Sequence, residues 1–423
     1  MRKISLFWLF LLLNSSLFSQ SFADYFSEGS LRINFVIKQA KPVDSVFVNS
    51  YTHDKYFSAI PAIKSELEYN GNYRVVVTDG VSKKILYVKG FCTLFEEFVT
   101  TSQASTADMA FEESVSVPFP KNSVFINIQG LDTIGNYQDL FTKKISPEDI
   151  SDTKYLKNRK VDKILVSGDY QNCFDLVFLS EGYRQRDYKK FVKDVKRFSD
   201  DLFEFEPYKQ LKSKINVWAV FSASADRGID EPHWNKWQDT NLDFSFDFFG
   251  TERYIGTYSY WNFCSESSYA PGDAYIAVVN SSRYGGGGIY NHYSVITSDH
   301  EVSDYVLVHE LGHSLAGLAD EYYDSVVAYN DFFSPKFEPW HPNITNLVNF
   351  SIKWGDMIES DVPIPTPENY KYSKKVGVFE GAGYSAKGLF RPYQNCIMRS
   401  HSANSFCPVC QKAIKEKILM YVK

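Results

Sequence analysis

His309-Glu310-Leu311-Gly312-His313 puts two imidazoles and a carboxylate within one turn and a half of chain. On a helix, residues four apart lie about 40° apart around the axis, so both histidines leave the same face. Two neutral imidazole nitrogens fill two corners of a tetrahedral zinc shell at about 2 Å each. Glu310, between them, can take a proton from a zinc-activated water without being a ligand itself. Only 8 histidines occur in 423 residues, so a pair at helical spacing around a glutamate is a specific signal. A catalytic zinc needs a third protein ligand and one open position. Asp320 and Glu321 follow closely, and Glu338, Glu359 and Glu368 lie further on. Spacing alone leaves the third ligand open among them.

The elements around the motif must hold it in place. Tyr305 to Val308 are apolar enough to bury one side of the helix; Ser303 is a plausible N-cap and Gly317 a plausible stop. Upstream, Asp175 to Leu179, Ile215 to Phe221 and Tyr275 to Val279 read as strands buried on both faces. Tyr188, Phe191, Val192, Val195, Phe198 and Leu202 share a helical face between the first two. Strand, helix, strand, strand and motif helix argue for an α/β unit with a mostly parallel sheet. The aromatic, acidic stretch from Trp234 to Trp261 reads as loops around a cleft. Gly285 to Gly288 lacks the Gly-Lys-Ser/Thr ending of a phosphate loop. It reads as a flexible turn before an edge strand near Tyr290 to Ile296, an edge that could pair with an extended peptide.

The N-terminal third has no such cluster. Leu31, Ile33, Phe35 and Ile37 alternate with Arg32, Asn34, Val36 and Lys38, the period of a strand with one solvated face. Ser45 to Tyr51, Tyr73 to Thr78, Ile85 to Lys89 and Val124 to Gln129 continue the series, with a turn signal at Asn70-Gly71. Short strands at short intervals predict an antiparallel β-sandwich, either a spacer or a substrate-binding module. Ser146 to Lys160 reads as a linker.

Met1-Arg2-Lys3, an apolar run from Ile4 to Leu13 and Ser21-Phe22-Ala23 have the form of a secretory signal peptide. The run is too short to span a membrane. Export to a periplasmic or extracellular compartment follows, with a mature chain from near Asp24. Net charge is -6, and no basic stripe or nucleic-acid motif appears, so nucleic acid is not an expected partner. Aromatic residues make up 17% of the chain, ample for large cores. Six cysteines permit disulfides in an oxidising compartment. Cys396, Cys407 and Cys410 cluster near the C-terminus; a local disulfide is favoured over a second metal site completed by His401.

The motif with its glycine and following acid resembles the metzincin arrangement. There the helix ends at a glycine three residues after the second histidine, and the third ligand comes three residues later. Here Gly317 is four residues after His313 and Asp320 three after Gly317, so both have moved together by one. The resemblance implies Asp320, in place of the usual histidine, as third ligand. It also implies that Asn395-Cys396-Ile397-Met398-Arg399 forms the methionine turn, with Met398 as an apolar floor under zinc. Metzincins often place an oxyanion-stabilising tyrosine shortly after that methionine. Arg399-Ser400-His401 stands there instead, which makes His401, Tyr393 and His292 the candidates.

The longer string from His309 to Tyr322 resembles the signature of the IgA-peptidase family of secreted bacterial metallo-endopeptidases. Asp175 to Tyr183 and Phe406-Cys407-Pro408-Val409-Cys410 are consistent with it. The resemblance implies a secreted endopeptidase holding one zinc ion by His309, His313 and Asp320, with Glu310 as general base and an extracellular protein, of immunoglobulin-like or other type, as substrate. The rival reading is a surface-binding or scaffold protein that keeps zinc and has lost catalysis; an intact Glu310 argues against it. The expected layout is a signal peptide (1–23), an N-terminal β-sandwich (24–145), a linker (146–160) and a metzincin-like α/β zinc-peptidase domain (161–423). Oligomeric state is not readable.

Overall fold

The computed structural model describes residues 21–40, 44–57, 70–324 and 332–422; the expected signal peptide lies outside these except for its last three residues. After a short helix α1 (Phe22–Tyr25) come strands β1 (Phe26–Lys38), β2 (Ser45–Asp54), β3 (Tyr73–Asp79) and β4 (Ile85–Phe91). Helix α2 (Leu94–Val99) follows, then β5 (Ala110–Pro120), β6 (Val124–Leu131), β7 (Tyr137–Ile145) and β8 (Ser151–Asp152). They form two four-stranded sheets, ordered β5-β1-β2-β8 and β4-β3-β6-β7, antiparallel except where β8 joins β2. Leu31, Ile33, Phe35 and Ile37 of β1 share a core with Val75, Val77, Ile126 and Ile128 of the second sheet, as period-two burial requires.

The second half opens with β9 (Lys160–Leu165), β10 (Phe174–Glu181), α3 (Tyr188–Leu202), α4 (Tyr208–Leu211) and β11 (Ile215–Phe221). A small ladder, β12 (Phe244–Ser245) with β13 (Gly256–Thr257), precedes α5 (Tyr260–Ser267). Then come β14 (Ala274–Val279), β15 (Gly286–Ile289), β16 (Tyr293–Thr297), α6 (Ser303–Ala316), the hairpin β17 (Phe379–Ala382) and β18 (Ser385–Arg391), and α7 (Pro408–Leu419). The main sheet runs β15-β16-β14-β10-β11-β9, with a parallel middle and antiparallel edges. The protein is thus a mixed α/β chain with a β-rich N-terminal region.

Strands β10 and β11 are buried at every residue, and alternate side chains explain why. Leu176, Phe178, Val217 and Ala219 pack under α3, α6 and α7. Val177, Leu179, Trp218 and Val220 join the same hydrophobic cluster as the N-terminal sheets. The N-terminal sheets and this face of the main sheet therefore share one core, with α5 packed against both β5 and β10.

That packing corrects the expectation of a solvated face on β1. Arg32 and Asn34 are buried, Arg32 beneath α5 and Asn34 bonded to Ser50 and Ser114 of the flanking strands. Arg32 Nε and Nη2 donate to Asp54 at 2.9 and 3.2 Å, and its Nη1 donates to Ser265 of α5 at 2.7 Å. Trp261 Nε1 donates to the Glu113 carbonyl at 2.9 Å. The stretch read as a linker is tied down as well: β8 extends the first sheet, and Arg159 clamps Glu266 of α5 in two directions.

The glycine run is a strand, not a flexible turn. A Cβ at Gly288 would sit 2.4 Å from the Glu310 carbonyl oxygen, and one at Gly286 2.7 Å from Val306 Cγ1. Only glycine lets β15 lie this close to α6. Its outer edge is also not free at Gly286, whose N–H donates to Arg253 O and whose carbonyl accepts from Ile255 N, both at 3.1 Å. No helix among the described residues is long and apolar enough to cross a membrane.

Candidate metal centre

Helix α6 carries the motif. Val302 occupies the cap position and Ser303 is the first helical residue, its hydroxyl buried without a partner, so the expected serine cap is not made. Gly317 ends the helix in the left-handed region at φ 62°, where a Cβ would meet the Trp340 ring at 2.3 Å. Gly317 N–H reaches His313 O at 3.0 Å and Leu318 N–H reaches Gly312 O at 3.1 Å. The chain therefore doubles back and brings Asp320 to the histidines.

Three donor atoms then converge. Asp320 Oδ1 lies 3.2 Å from His309 Nε2 and 3.3 Å from His313 Nε2, and the two nitrogens are 3.2 Å apart. For metal–ligand bonds of about 2.0–2.1 Å at tetrahedral angles, the edge between donors is roughly 3.3–3.4 Å. The triangle has the size of one face of a zinc tetrahedron. Each imidazole is oriented through its other nitrogen: His309 Nδ1 lies 3.1 Å from Ile397 O and His313 Nδ1 2.5 Å from Leu318 O. Those contacts leave both Nε2 atoms free to ligate. Asp320 Oδ1 is buried with no hydrogen-bond partner, while Oδ2 accepts from Tyr384 at 2.6 Å. Burial alone would push His313 down; the Asp320 and Glu310 carboxylates outweigh it and hold it up to about 9. The site favours positive charge at this point, and the donor set fits zinc.

Glu310 faces the glycine strand, and one carboxylate oxygen lies within 4.8 Å of a ligating nitrogen of each histidine. Burial raises its pKa and Asp320 adds to the rise, against His309, His313 and Arg253. Met398 is fully buried, and a Cβ at Gly312 would lie 2.9 Å from its sulfur. It therefore sits against α6 between the two histidines, and its carbonyl accepts the Glu321 N–H at 2.8 Å.

The cleft over this triangle is lined from both halves of the chain, including Glu96 and Glu97 of α2 and Arg253, Tyr284, Tyr322 and His341. Glu97 bonds the Tyr254 hydroxyl across the cleft wall, and Cys92 N–H donates to Tyr290 O at 3.0 Å. Arg253 is held by Tyr322 and Tyr284. Sequence reasoning missed Arg253, His341 and Tyr384. Tyr322, directly after Asp320-Glu321, was within its reach.

The three oxyanion candidates are not cleft residues. His292 is buried against the N-terminal sheets, with Nε2 2.9 Å from Glu113 and its ring stacked on Tyr260 at 3.5 Å. His401 is exposed, its ring 6.0 Å from that of Tyr305. Tyr393 is partly buried against the core that holds Met398 and α7. The alternative ligands are also elsewhere: Glu338 pairs with Lys353, Glu359 with Lys375 and Glu368 with Arg391. Glu321 turns away from the histidines toward Cys396, Cys407 and Cys410, and a local disulfide is not formed, since all six cysteines are free.

The family described as IgA Peptidase M64 matches residues 163–372 and 368–418, and its companion, Peptidase M64 N-terminus, matches residues 21–142. No curated protein matches the chain.

Proposed function

The chain belongs to the IgA peptidase M64 family, a family of metallopeptidases, and from that premise we propose that it is an exported zinc-dependent endopeptidase. The observation that carries the reading is the triangle of His309, His313 and Asp320, with edges of 3.2, 3.2 and 3.3 Å. These three residues would hold the ion, in a metzincin-like arrangement with Met398 as the apolar floor. Zinc, when bound, supplies Lewis-acid polarisation of the attacking water and of the scissile carbonyl.

The chain's own groups do the rest. Glu310 takes the proton from the attacking water and returns it to the leaving amine, a task suited to a carboxylate whose pKa burial has raised. Arg253, fixed by Tyr284 and Tyr322 in the cleft, faces the charge that develops on the carbonyl oxygen, in the role first sought at His401, Tyr393 and His292. Tyr384 orients the Asp320 carboxylate. An extracellular protein, reached after removal of a signal peptide near residue 23, is the proposed substrate. Glu310→Gln in the mature protein should retain its zinc and lose casein-cleaving activity by at least about a hundredfold. Cleavage at the parent rate with zinc bound would rule out Glu310 as the base.

A further inference from the structure

Beyond the catalytic centre, a second set of metal donors is buried in the same half of the protein. Glu321, Cys396, Cys407 and Cys410 place one carboxylate oxygen and three sulfurs within 4.8 Å of one another, all fully or nearly fully buried. The Cys396 and Cys410 sulfurs are 3.7 Å apart. Zinc–thiolate bonds of about 2.3 Å at tetrahedral angles require a sulfur–sulfur edge of about 3.8 Å. Glu321 Oε1 lies 3.3 Å from the Cys410 sulfur, close to the oxygen–sulfur edge of about 3.5 Å that the same geometry gives.

Two independent features point to a ligand there. Glu321 Oε2 is completely buried and has no hydrogen-bond partner, while Oε1 accepts from Asn343 at 3.0 Å. A carboxylate oxygen left bare in the interior costs free energy unless something positive meets it. Backbone N–H groups also point at the sulfurs: Cys407 N at the Cys396 sulfur, 3.2 Å, and Cys410 N at the Cys407 sulfur, 3.5 Å. Cys407 caps the N-terminus of α7, where the helix dipole favours a thiolate. Four protein donors with no place for water make a closed, structural site.

We propose that Glu321, Cys396, Cys407 and Cys410 bind a second zinc ion with a structural role. Binding releases the thiol protons to solvent and leaves all three sulfurs as thiolates. The ion joins three segments: the stretch just after Asp320, the loop two residues before Met398, and the start of α7. It therefore fixes both the third catalytic ligand and the floor beneath the catalytic ion. It also keeps three adjacent thiols from oxidising in an exported protein.

Cobalt(II) reconstitution of the full mature chain tests this. Thiolate ligands give an intense near-ultraviolet charge-transfer absorption that a centre of two histidines and an aspartate cannot give. The parent protein should show that band, and His309→Ala/His313→Ala should keep it. Cys407→Ser/Cys410→Ser should abolish it, and Glu321→Gln should weaken cobalt retention at least tenfold while leaving thiolate absorption. Should the cysteine variant not fold, the parent spectrum decides. A parent without the band, or one whose non-reduced mass shows a Cys396–Cys410 cross-link, overturns the proposal. One ion per chain with the band would contradict the catalytic zinc and uphold the structural one.

Discussion

Asp320 and Glu321 are consecutive, yet their carboxylates serve different clusters: Asp320 Oδ1 lies 3.2 Å from His309 Nε2, and Glu321 Oε1 lies 3.3 Å from the Cys410 sulfur. One short segment after Gly317 thus supplies a donor to each cluster. Asp320→Ala should cut zinc affinity at the histidine centre by more than a hundredfold, since a ligand is lost. Glu321→Ala should lower the unfolding midpoint, weaken zinc held at the cysteine cluster at least tenfold and leave the histidine centre's zinc tightly held. Metal titration against a chromogenic chelator separates the two.

Tyr384 donates to Oδ2 of Asp320 at 2.6 Å and so orients a proposed ligand of the metal centre. Tyr384→Phe should weaken zinc binding by about 10- to 100-fold, the usual cost of losing a partner to a ligand. Saturating zinc should restore most of the kcat.

The glycine strand is tuned to Glu310. In Gly288→Ala the new methyl would lie 2.4 Å from the Glu310 carbonyl, so β15 or α6 must shift. A destabilisation of about 1–3 kcal/mol in urea unfolding is expected, with a fall in kcat.

Arg253→Met should lower kcat at least tenfold with little change in KM if the guanidinium acts on developing charge. An effect confined to KM would make it a substrate-binding residue instead.

Asp175, on β10, accepts from Trp218 Nε1 at 2.6 Å and Asn216 Nδ2 at 3.0 Å, and burial pushes it up to about 7 against those bonds. A carboxyl whose folded pKa lies above its unfolded value stabilises fully below about pH 4 and loses that contribution as pH rises through about 7. Asp175→Asn should therefore gain stability relative to the parent between pH 4 and 8, by up to a few kcal/mol. Asp273, raised in the same way, keeps part of the slope in both proteins.

Local pattern carried much of this into the sequence. His309, Glu310 and His313 lie on one helix, so spacing alone placed them, and Gly317 marked the turn that returns Asp320. The strands β10, β11 and β14 were legible because burial on both faces leaves continuous apolar runs. What was not legible depends on distant packing. Arg32 looked solvent-facing until α5, more than 200 residues later, covered it. Gly285 to Gly288 read as a turn because the reason for glycine, the approach of α6, is not local. Arg253 and Tyr384 enter the cleft from loops with no motif of their own. The cysteine cluster missed its fourth member because Glu321 looked like a rival to Asp320, and only the contacts of the folded segment separate their roles.

Anomalous scattering at the zinc edge, from crystals grown without added chelator, tests the central claim most directly. A peak about 2 Å from His309 Nε2, His313 Nε2 and Asp320 Oδ1 is predicted. No peak among those three atoms in zinc-replete crystals would contradict it.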